Sequence, residues 1–324
     1  MARPYSEARK ILRDADISSY KDDLDKFEAG TRAENMSASS QKSYLGYLKI
    51  FCAYCVIFRN GVSLMNVDIS DIQAFIAYLM EVEQLRPNTV NSYLAAIRKM
   101  IAYLRGETLD KKRLPDLFVD TYLPRVPTAD EVALMLKACS GILERLFLLI
   151  LISTGVRFSE ALVLKFSDLL RNEHLIHVGL SKSRMERRVP LNDNVIAELT
   201  KYCNEYNANH PDHKLTPDDY IFFNENRDGH LNDSYLRKLF TGIQERAGLK
   251  DKHYTPHSCR HFFALQYYLQ SNDLLLVKRL LGHKSLESTE TYLVLAAAIE
   301  AQERYVNPLD VVLNSENAKN KQVR

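Results

Sequence analysis

Apolar residues recur at three- and four-residue spacing through most of this chain of 324 residues. That period is typical of α-helices that bury one face, so the sequence predicts a mainly helical fold. In the first third it predicts one helix over residues 39–58, a second that opens with a capping box at Ser70, and a third from Pro87 to a stop at Gly106. Short helices joined by tight loops predict a small bundle.

The helical period fails in two places. Residues 107–127 contain three prolines and a Lys-Lys-Arg run without a sustained apolar repeat, which predicts a linker between two domains. Residues 174–180 and 187–191 alternate in polarity on either side of a basic turn, and this pattern predicts a β-hairpin. Between linker and hairpin, a capping box from Thr128 to Glu131 predicts a helix start, and the strongly apolar residues 142–153 predict a helix buried all round.

These boundaries predict five segments along the chain. They are an N-terminal extension (1–24), a helical domain (25–106), the linker (107–127), a mostly helical second domain with a small hairpin or sheet (128–313), and a polar, flexible tail (314–324). The extension carries several basic residues, and it is compatible with an extra helix, a DNA arm or a subunit contact.

Composition narrows the class of protein only loosely. A chain of this length usually divides its core between two domains. Its 43 Lys and Arg against 41 Asp and Glu leave a net charge of +2, which neither requires nor excludes a nucleic-acid partner. No apolar run approaches the roughly 20 residues that cross a bilayer, and scattered cysteines do not make a secreted disulfide framework, so we expect a cytoplasmic protein. Cys52 and Cys55 have CxxC spacing, but they lie in an apolar helical stretch without a second ligand pair, which favours core packing over a metal site.

Two arginine motifs in the second domain predict an anion site. A glycine turn places Arg157 at the edge of the buried helix, just before Glu160, although Arg157 taken alone is read more simply as a salt bridge to Glu160. His257 and Arg260 stand at i and i+3 near a helix start that Pro256 marks, where backbone donors and the helix dipole favour an anion. Together the motifs suggest two guanidinium groups aimed at one tetrahedral anion.

A third motif brings in a tyrosine. His283 follows a glycine that ends one helix, and Tyr292 lies nine positions later in the next, but with 18 tyrosines in the chain the spacing alone does not select it. The ordered set does: Thr-Gly-x-Arg with Ser-Glu, a basic hairpin ending in Glu-Arg-Arg-Val-Pro-Leu, His-x-x-Arg-His, and Leu-Gly-His followed by Tyr. Over residues 25–300 the chain resembles the tyrosine recombinase (phage integrase) family, most of all its two-domain Xer-type recombinases and transposon integrases. The first domain resembles that family's helical, SAM-like core-binding domain.

The resemblance implies a role for each motif residue. Tyr292 attacks the scissile phosphate and forms a 3′-phosphotyrosine, while His257 accepts or shares its proton. Arg157 and Arg260 hold the non-bridging oxygens, and His283 hydrogen-bonds the phosphate.

Further residues have supporting roles under the same resemblance. Lys182, in the hairpin turn, protonates the departing 5′ oxygen, although a register shift of one residue points another side chain at the phosphate. Glu160 braces Arg157, and His261 is a structural hydrogen-bonder near Arg157. The expected DNA-binding side chains of the first domain, each equally compatible with an ordinary solvated charge, are Lys42, Lys49, Arg98 and Lys99. In the hairpin, Arg184 and Arg187 are further expected DNA contacts.

The resemblance therefore implies a site-specific recombinase that acts on double-stranded DNA as a homo-tetramer on two sites, through a Holliday junction and without a metal, another cofactor or ATP. Residues 296–313 are expected to dock on a neighbouring subunit or to pack on their own domain; their apolar members are Ile299, Tyr305, Val306, Leu309, Val311 and Val312. Two alternatives are a type IB topoisomerase and a non-catalytic DNA-binding regulator. The DNA site, the biological role and any accessory proteins are not encoded in a readable way.

Overall fold

A computed structural model describes residues 5–120, 122–179 and 186–304 of the chain. The chain divides into two compact units, Met1–Thr121 and Tyr122–Arg324. Each unit has its own cluster of buried apolar side chains. Within the described residues, no helix combines the length and apolar character needed to cross a membrane.

The first unit is a helical bundle. Its helices are α1 (Tyr5–Asp14), α2 (Lys21–Ala33), α3 (Ala38–Phe58), α4 (Ile69–Ala77) and α5 (Pro87–Arg105). A short turn of 3₁₀ helix, Ser18–Tyr20, precedes α2, and a π-helical turn, Tyr78–Val82, follows α4. The core is rich in aromatic rings, with Phe51 and Phe75 5.0 Å apart between ring centroids. Cys52 and Cys55 are free thiols buried in this core, as the apolar periodicity predicts.

The predicted start and end of α5 are confirmed, whereas the predicted start of α4 is displaced. Pro87 opens α5, and Gly106 ends it in the left-handed region at a φ of 67°. The capping box predicted at Ser70 is wrong by two residues, because Asp68 is the N-cap and Asp71 completes the box. Ser70 lies inside the first turn, where its hydroxyl donates to the Asp68 carboxylate at 2.7 Å.

The first unit is larger than the bundle predicted from sequence. Helix α1 forms within the predicted extension, and Leu12 from it is buried in the core. Leu114, from the predicted linker, is buried in the same core. The side chain of Asn91 bonds both the N–H and the carbonyl of Leu117, at 2.8 and 2.9 Å. Packing of this unit therefore extends to both sides of residues 25–106.

The second unit surrounds a small antiparallel sheet with helices. The strands are β1 (Leu169–Leu170), β2 (Leu175–Val178) and β3 (Arg187–Pro190), in the order β1-β2-β3. The helices are α6 (Ala129–Lys137), α7 (Ile142–Thr154), α8 (Phe158–Leu162), α9 (Asp193–Asn209), α10 (Asp233–Arg246), α11 (Pro256–Ser271), α12 (Leu274–Leu281) and α13 (Glu287–Arg304). Short 3₁₀ turns lie at Phe166–Asp168, Arg171–Glu173 and Lys250–Lys252.

The local predictions for this unit are largely confirmed. Thr128 and Glu131 form the capping box that begins α6. Helix α7 is buried over consecutive positions 146–151 and packs against α9 and α11, which explains its apolar character on every face. The predicted hairpin is β2 paired with β3, with Val178 opposite Arg187. Strand β1 was not predicted, because two residues are too few to show an alternating pattern.

Candidate active site

Arg157 is held at the edge of α7 by a turn that requires glycine. Gly155 ends α7 at a φ of 61°, and a Cβ added there would lie 2.2 Å from the Phe263 ring. The chain then reaches Arg157, the N-cap of α8. Its backbone N–H donates to Oε2 of Glu160 at 2.7 Å, and its Nη1 donates to Oε1 at 2.9 Å. The predicted contact between Arg157 and Glu160 is therefore present, and it orients the guanidinium group.

Arg260 is the second arginine of the site and is 1% exposed. It lies in the second turn of α11, which Pro256 opens as predicted. Its Nη1 donates to the Gly155 carbonyl at 2.7 Å and its Nη2 to the Leu281 carbonyl at 2.6 Å. Burial, together with the charges of Arg157 and Arg187, lowers the pKa of Arg260 to about 9, so the group is still charged at neutral pH.

Arg187 has a different place from the one expected for a DNA contact. Its guanidinium is buried and binds Glu160 in a bidentate pair, while Nε donates to the Leu280 carbonyl at 2.7 Å. Alternation along β3 explains this, because Arg187 and Val189 face the core whereas Arg188 faces solvent and pairs with Glu173. All three guanidinium nitrogens of Arg187 have acceptors inside the protein, so the described arrangement does not place Arg187 as the DNA contact that the sequence predicts.

Glu160 balances two of these arginines. It is 4% exposed, and burial alone would raise its pKa. Hydrogen bonds and charge from Arg187, with further bonds from Arg157, outweigh burial and lower the pKa of Glu160 to about 2. The carboxylate is thus ionised, as a brace for a guanidinium group requires.

The end of α12 collects all three guanidinium groups. They bind three consecutive backbone carbonyls, Arg187 at Leu280, Arg260 at Leu281 and Arg157 at Gly282. Carbonyls at a helix C-terminus lack partners within the helix and carry its negative dipole end, so they suit cations. Three cations against the carboxylate of Glu160 leave this cluster positive. Sequence motifs miss the arrangement, because the acceptors are backbone atoms.

The histidine that contacts Tyr292 is not the one expected from the motif. The Tyr292 hydroxyl lies 2.9 Å from Nδ1 of His261. His257, the expected proton acceptor, packs edge-on against the His261 ring with 4.6 Å between centroids. His261 was expected to be a structural group near Arg157; instead it stands between His257 and the tyrosine. The two histidines lie one turn apart on α11, and only three-dimensional packing decides which of them meets α13.

The protonation states follow from burial. Burial lowers the pKa of His257. It also lowers the pKa of His261 to about 4 and the pKa of His283 to about 3. The charges of nearby arginines act in the same direction. Burial raises the pKa of Tyr292 to about 12, although the charge of Arg260 opposes this. At neutral pH the rings are neutral and the phenol keeps its proton. Nδ1 of His283 lies 2.9 Å from the Thr289 hydroxyl, a partner that the sequence did not indicate.

The remaining predicted residues divide into three groups. Lys182 and Arg184 lie outside the described residues. Arg98 binds Asp116 and the Leu114 carbonyl through its guanidinium group, and its role as a DNA contact stays a prediction. Lys99 pairs with Glu34, and Lys42 and Lys49 are exposed on α3; a DNA contact of these three lysines stays a prediction.

Solved structures of a recombinase and an integrase share this architecture. The XerH site-specific recombinase bound to palindromic difH substrate aligns with a TM-score of 0.66 at 23% identity, over 84% of this chain and 81% of that one. The Tn1549 transposon integrase in complex with transposon right end DNA aligns with a TM-score of 0.64 at 16% identity, over 87% and 99%. At these identities the likeness establishes the fold class: a SAM-like helical domain together with a mostly helical recombinase catalytic domain.

Sequence relatives specify the family. Residues 125–298 match the phage integrase family, and residues 24–111 match the N-terminal SAM-like domain of phage integrases. Tyrosine recombinase XerC of Herpetosiphon aurantiacus is 30% identical over 73% of this chain and 78% of its own length. Tyrosine recombinase XerD of Listeria monocytogenes serovar 1/2a is 29% identical over 79% of this chain and 88% of its own length. The chain belongs to the phage integrase family and is a tyrosine recombinase, an enzyme of site-specific DNA recombination.

Proposed function

We propose that this recombinase cuts and rejoins duplex DNA through Tyr292. The Tyr292 oxygen forms a bond to phosphorus while the bond from phosphorus to the 5′ oxygen breaks, which leaves a 3′-phosphotyrosine and a free 5′-hydroxyl. The phosphotyrosyl ester keeps the bond energy, so a 5′-hydroxyl from a second strand can rejoin without ATP. The observation that carries the proposal is the cationic cluster at the end of α12, in the same unit as a buried tyrosine hydroxyl held by histidine.

Electrostatics supports the phosphate-binding role of this cluster. Arg157 and Arg260 bring two fixed positive charges, and planar guanidinium forks suit the charge that develops on a pentacoordinate phosphorus. His283, whose Nδ1 faces Thr289, can donate from Nε2 when Nδ1 accepts the threonine proton. Such donors stabilise a dianionic phosphorane better than a diester with one negative charge, and this difference is what accelerates a reaction.

The proton of Tyr292 needs an acceptor, and the rings of α11 supply it. His261 is within hydrogen-bonding distance of the hydroxyl and neutral at pH 7, so it can accept that proton as the bond to phosphorus forms. His257 is the adjacent ring and can share the charge. The departing 5′ oxygen needs a donor, a role that we assign to Lys182 from the family resemblance.

The hydroxyl of Tyr292 must become accessible before it can attack. The residue is 1% exposed, which leaves no room for a phosphodiester beside the hydroxyl. We infer that DNA binding changes the position of the first turns of α13 relative to α11. Ala296 and Ile299 of α13 pack on the core of their own unit, so docking on a neighbouring subunit is proposed only for residues beyond 304.

Double-stranded DNA is the proposed partner. The XerH structure described as a pre-cleavage complex contains difH substrate, and it aligns with this chain at 25% identity and a TM-score of 0.61. Lys42 and Lys49, exposed and seven positions apart on α3, are the proposed phosphate contacts of the first unit. We further propose a cytoplasmic protein that assembles as a homo-tetramer on two DNA sites and exchanges strands through a Holliday junction.

A trapping experiment tests the proposal. The protein is incubated with a library of random duplexes that each carry a nick. Cleavage near the nick releases a short strand with the free 5′-hydroxyl, and without this strand the covalent complex cannot rejoin the DNA. Covalent complexes are isolated on denaturing gels and their cut ends are sequenced. A covalent band that is absent in Tyr292→Phe supports the proposal and gives the DNA site. Normal DNA binding by the wild-type protein without such a band would overturn it in favour of a non-catalytic regulator.

A second assay separates the recombinase from a topoisomerase. Selected sites are placed on two plasmids, and strand exchange between them is compared with relaxation of one supercoiled plasmid without a site. Exchange that requires both sites supports the recombinase. Site-independent relaxation by a monomer, without exchange, would support the type IB topoisomerase.

A further inference from the structure

Arg187 is a buried cation that the proposed chemistry does not use. Its side chain is 6% exposed, at the start of β3. Nη1 donates to Oε1 of Glu160 at 3.1 Å, Nη2 to Oε2 at 2.6 Å, and Nε to the Leu280 carbonyl at 2.7 Å. Each nitrogen of its guanidinium group therefore has an acceptor inside the protein. A group bound in this way can fix the position of its neighbours.

The first of these neighbours is Glu160, which also binds Arg157. Oε1 of Glu160 is shared between Nη1 of Arg157 and Nη1 of Arg187, at 2.9 and 3.1 Å. Oε2 accepts both Nη2 of Arg187 and the backbone N–H of Arg157, at 2.6 and 2.7 Å. The carboxylate thus lies between two guanidinium groups. Removal of one changes its orientation and, with it, the orientation of the other.

The second neighbour is the turn that ends α12 and carries His283. Arg187 binds the first of the three carbonyls of this turn. Gly282 has a φ of 65°, and a Cβ added there would lie 3.2 Å from Cδ of Arg187. The arginine therefore packs directly against the residue before His283. Its loss would leave both an unpaired carbonyl and space beside the turn.

We propose that Arg187 is a positioning residue for DNA strand cleavage, which orients Glu160 and the end of α12 and, through them, Arg157 and His283. This inference rests on the proposed function. Arginine suits the role because its planar fork meets both carboxylate oxygens while Nε reaches a third acceptor. A lysine ammonium is a compact point charge that does not reproduce this three-point geometry.

Single-turnover cleavage tests the proposal, with a nicked substrate selected as above and protein in saturating excess. Arg187→Lys is expected to lower the cleavage rate about 100-fold, because a shift of about 1 Å in positioned groups has effects of this size. DNA affinity, measured by fluorescence anisotropy, is expected to stay within about twofold, because the donors of Arg187 are bound inside the protein. A loss confined to the rate at saturation distinguishes positioning from a DNA contact.

Arg188→Lys is the matched control. Arg188 is the next residue of β3, on the opposite face, with its side chain 62% exposed and an exposed ion pair to Glu173. The cleavage rate and the DNA affinity of Arg188→Lys are expected to stay within about twofold of wild type. Circular dichroism melting compares the thermal stability of the variants. If Arg187→Lys unfolds at a lower temperature than the wild type, Arg187→Met serves as a second variant, because it places no ammonium group in the core. The double variant Arg187→Lys/Glu160→Gln is expected to lose less rate than the product of the single losses, because both changes act on one network.

The outcomes separate this inference from the proposed function. Wild-type protein that forms no covalent complex contradicts the function itself. Wild-type cleavage with a folded Arg187 variant that keeps its rate within about twofold overturns the positioning role and leaves the function standing. Fully multiplicative losses in the double variant would also overturn it, because Arg187 would then not act through Glu160.

Discussion

Glu83 in the first unit and Glu160 in the second are both almost fully buried, yet their surroundings differ. Glu160 has four hydrogen bonds from two arginines, and its pKa is lowered to about 2. Within the described residues, neither carboxylate oxygen of Glu83 has a hydrogen-bond partner, and the nearest cationic atom, Nε of Arg9, is 3.7 Å away. Burial raises the pKa of Glu83, although Arg9 and Arg13 oppose this.

The difference shows what keeps a buried charge in a fold. Low dielectric makes an ion costly to bury, and hydrogen bonds from an oppositely charged partner offset that cost. In the second unit this offset is complete at Glu160, and the resulting rigid network is where the reaction is proposed to occur. In the first unit, Glu83 follows the π-helical turn and is only weakly compensated. The same residue type is therefore stabilising in one unit and unfavourable in the other.

Removal of the well-paired carboxylate should have the largest effect. Glu160→Ala leaves Arg187 buried without its partner, so the free energy of unfolding should fall by about 3–5 kcal/mol. Urea unfolding followed by far-UV circular dichroism measures this in a chain without tryptophan. Glu173→Ala, which breaks the exposed pair with Arg188, is the control and should change stability by less than about 1 kcal/mol. A fall below about 1 kcal/mol for Glu160→Ala would mean that the network does not hold the second unit together.

Mild acid should weaken the second unit before the first. The pKa values of His261 and His283 are lower in the folded protein than in an unfolded chain, so unfolding takes up protons below about pH 6.5. Stability present at pH 7 is therefore lost as the pH falls towards 5, by about 2 kcal/mol for each histidine. Protonation of Glu83 acts in the opposite direction, because its raised pKa favours the neutral form in the folded state.

Hydrogen exchange, corrected for intrinsic rates, resolves the two units in that experiment. Between pH 7 and pH 5, α7 and α11 should lose protection while α3 and α5 keep theirs. Equal losses in both sets of helices would contradict the assignment of the acid sensitivity to the buried histidines.

Neutralisation of the poorly paired carboxylate should have the smallest effect and the opposite sign. Glu83→Gln removes a charge that has no hydrogen bond, so stability at pH 7 should rise, by about 1 kcal/mol at most. The urea midpoint measures the change, and Glu81→Gln at a neighbouring position is the control. A marked fall in stability would show that the charge of Arg9 compensates Glu83 fully.

Much of this architecture could be predicted from the sequence, because the signals were local. Helical periods, Pro87, the Thr128 capping box and the alternation of the hairpin each depend on a few adjacent residues, and each is present in the structure. The ordered motifs also predicted that Arg157, Arg260 and His283 lie in one place, and all three meet at the end of α12.

Features that depend on packing were missed. The inward direction of Arg187 follows from the register of β3, which the sequence pattern of the hairpin does not reveal. The choice of His261 over His257 depends on how α13 packs on α11. Carbonyls that bind the arginines have no side-chain signature, and Leu12 joins the first core from a segment with little apolar pattern. Asp68 is the N-cap because it is the extended residue just before α4, whereas Ser70 already lies inside the helix.

The arginine-bound end of α12 also affects how readily the proposed site meets its substrate. Side chains as long as arginine ordinarily lose rotamer entropy when a ligand immobilises them. Here Arg157 and Arg260 are already anchored on fixed backbone oxygens before any phosphodiester arrives. We therefore expect low reorganisation energy at the moment of reaction, and the binding energy of the DNA stays available for exposing the nucleophile.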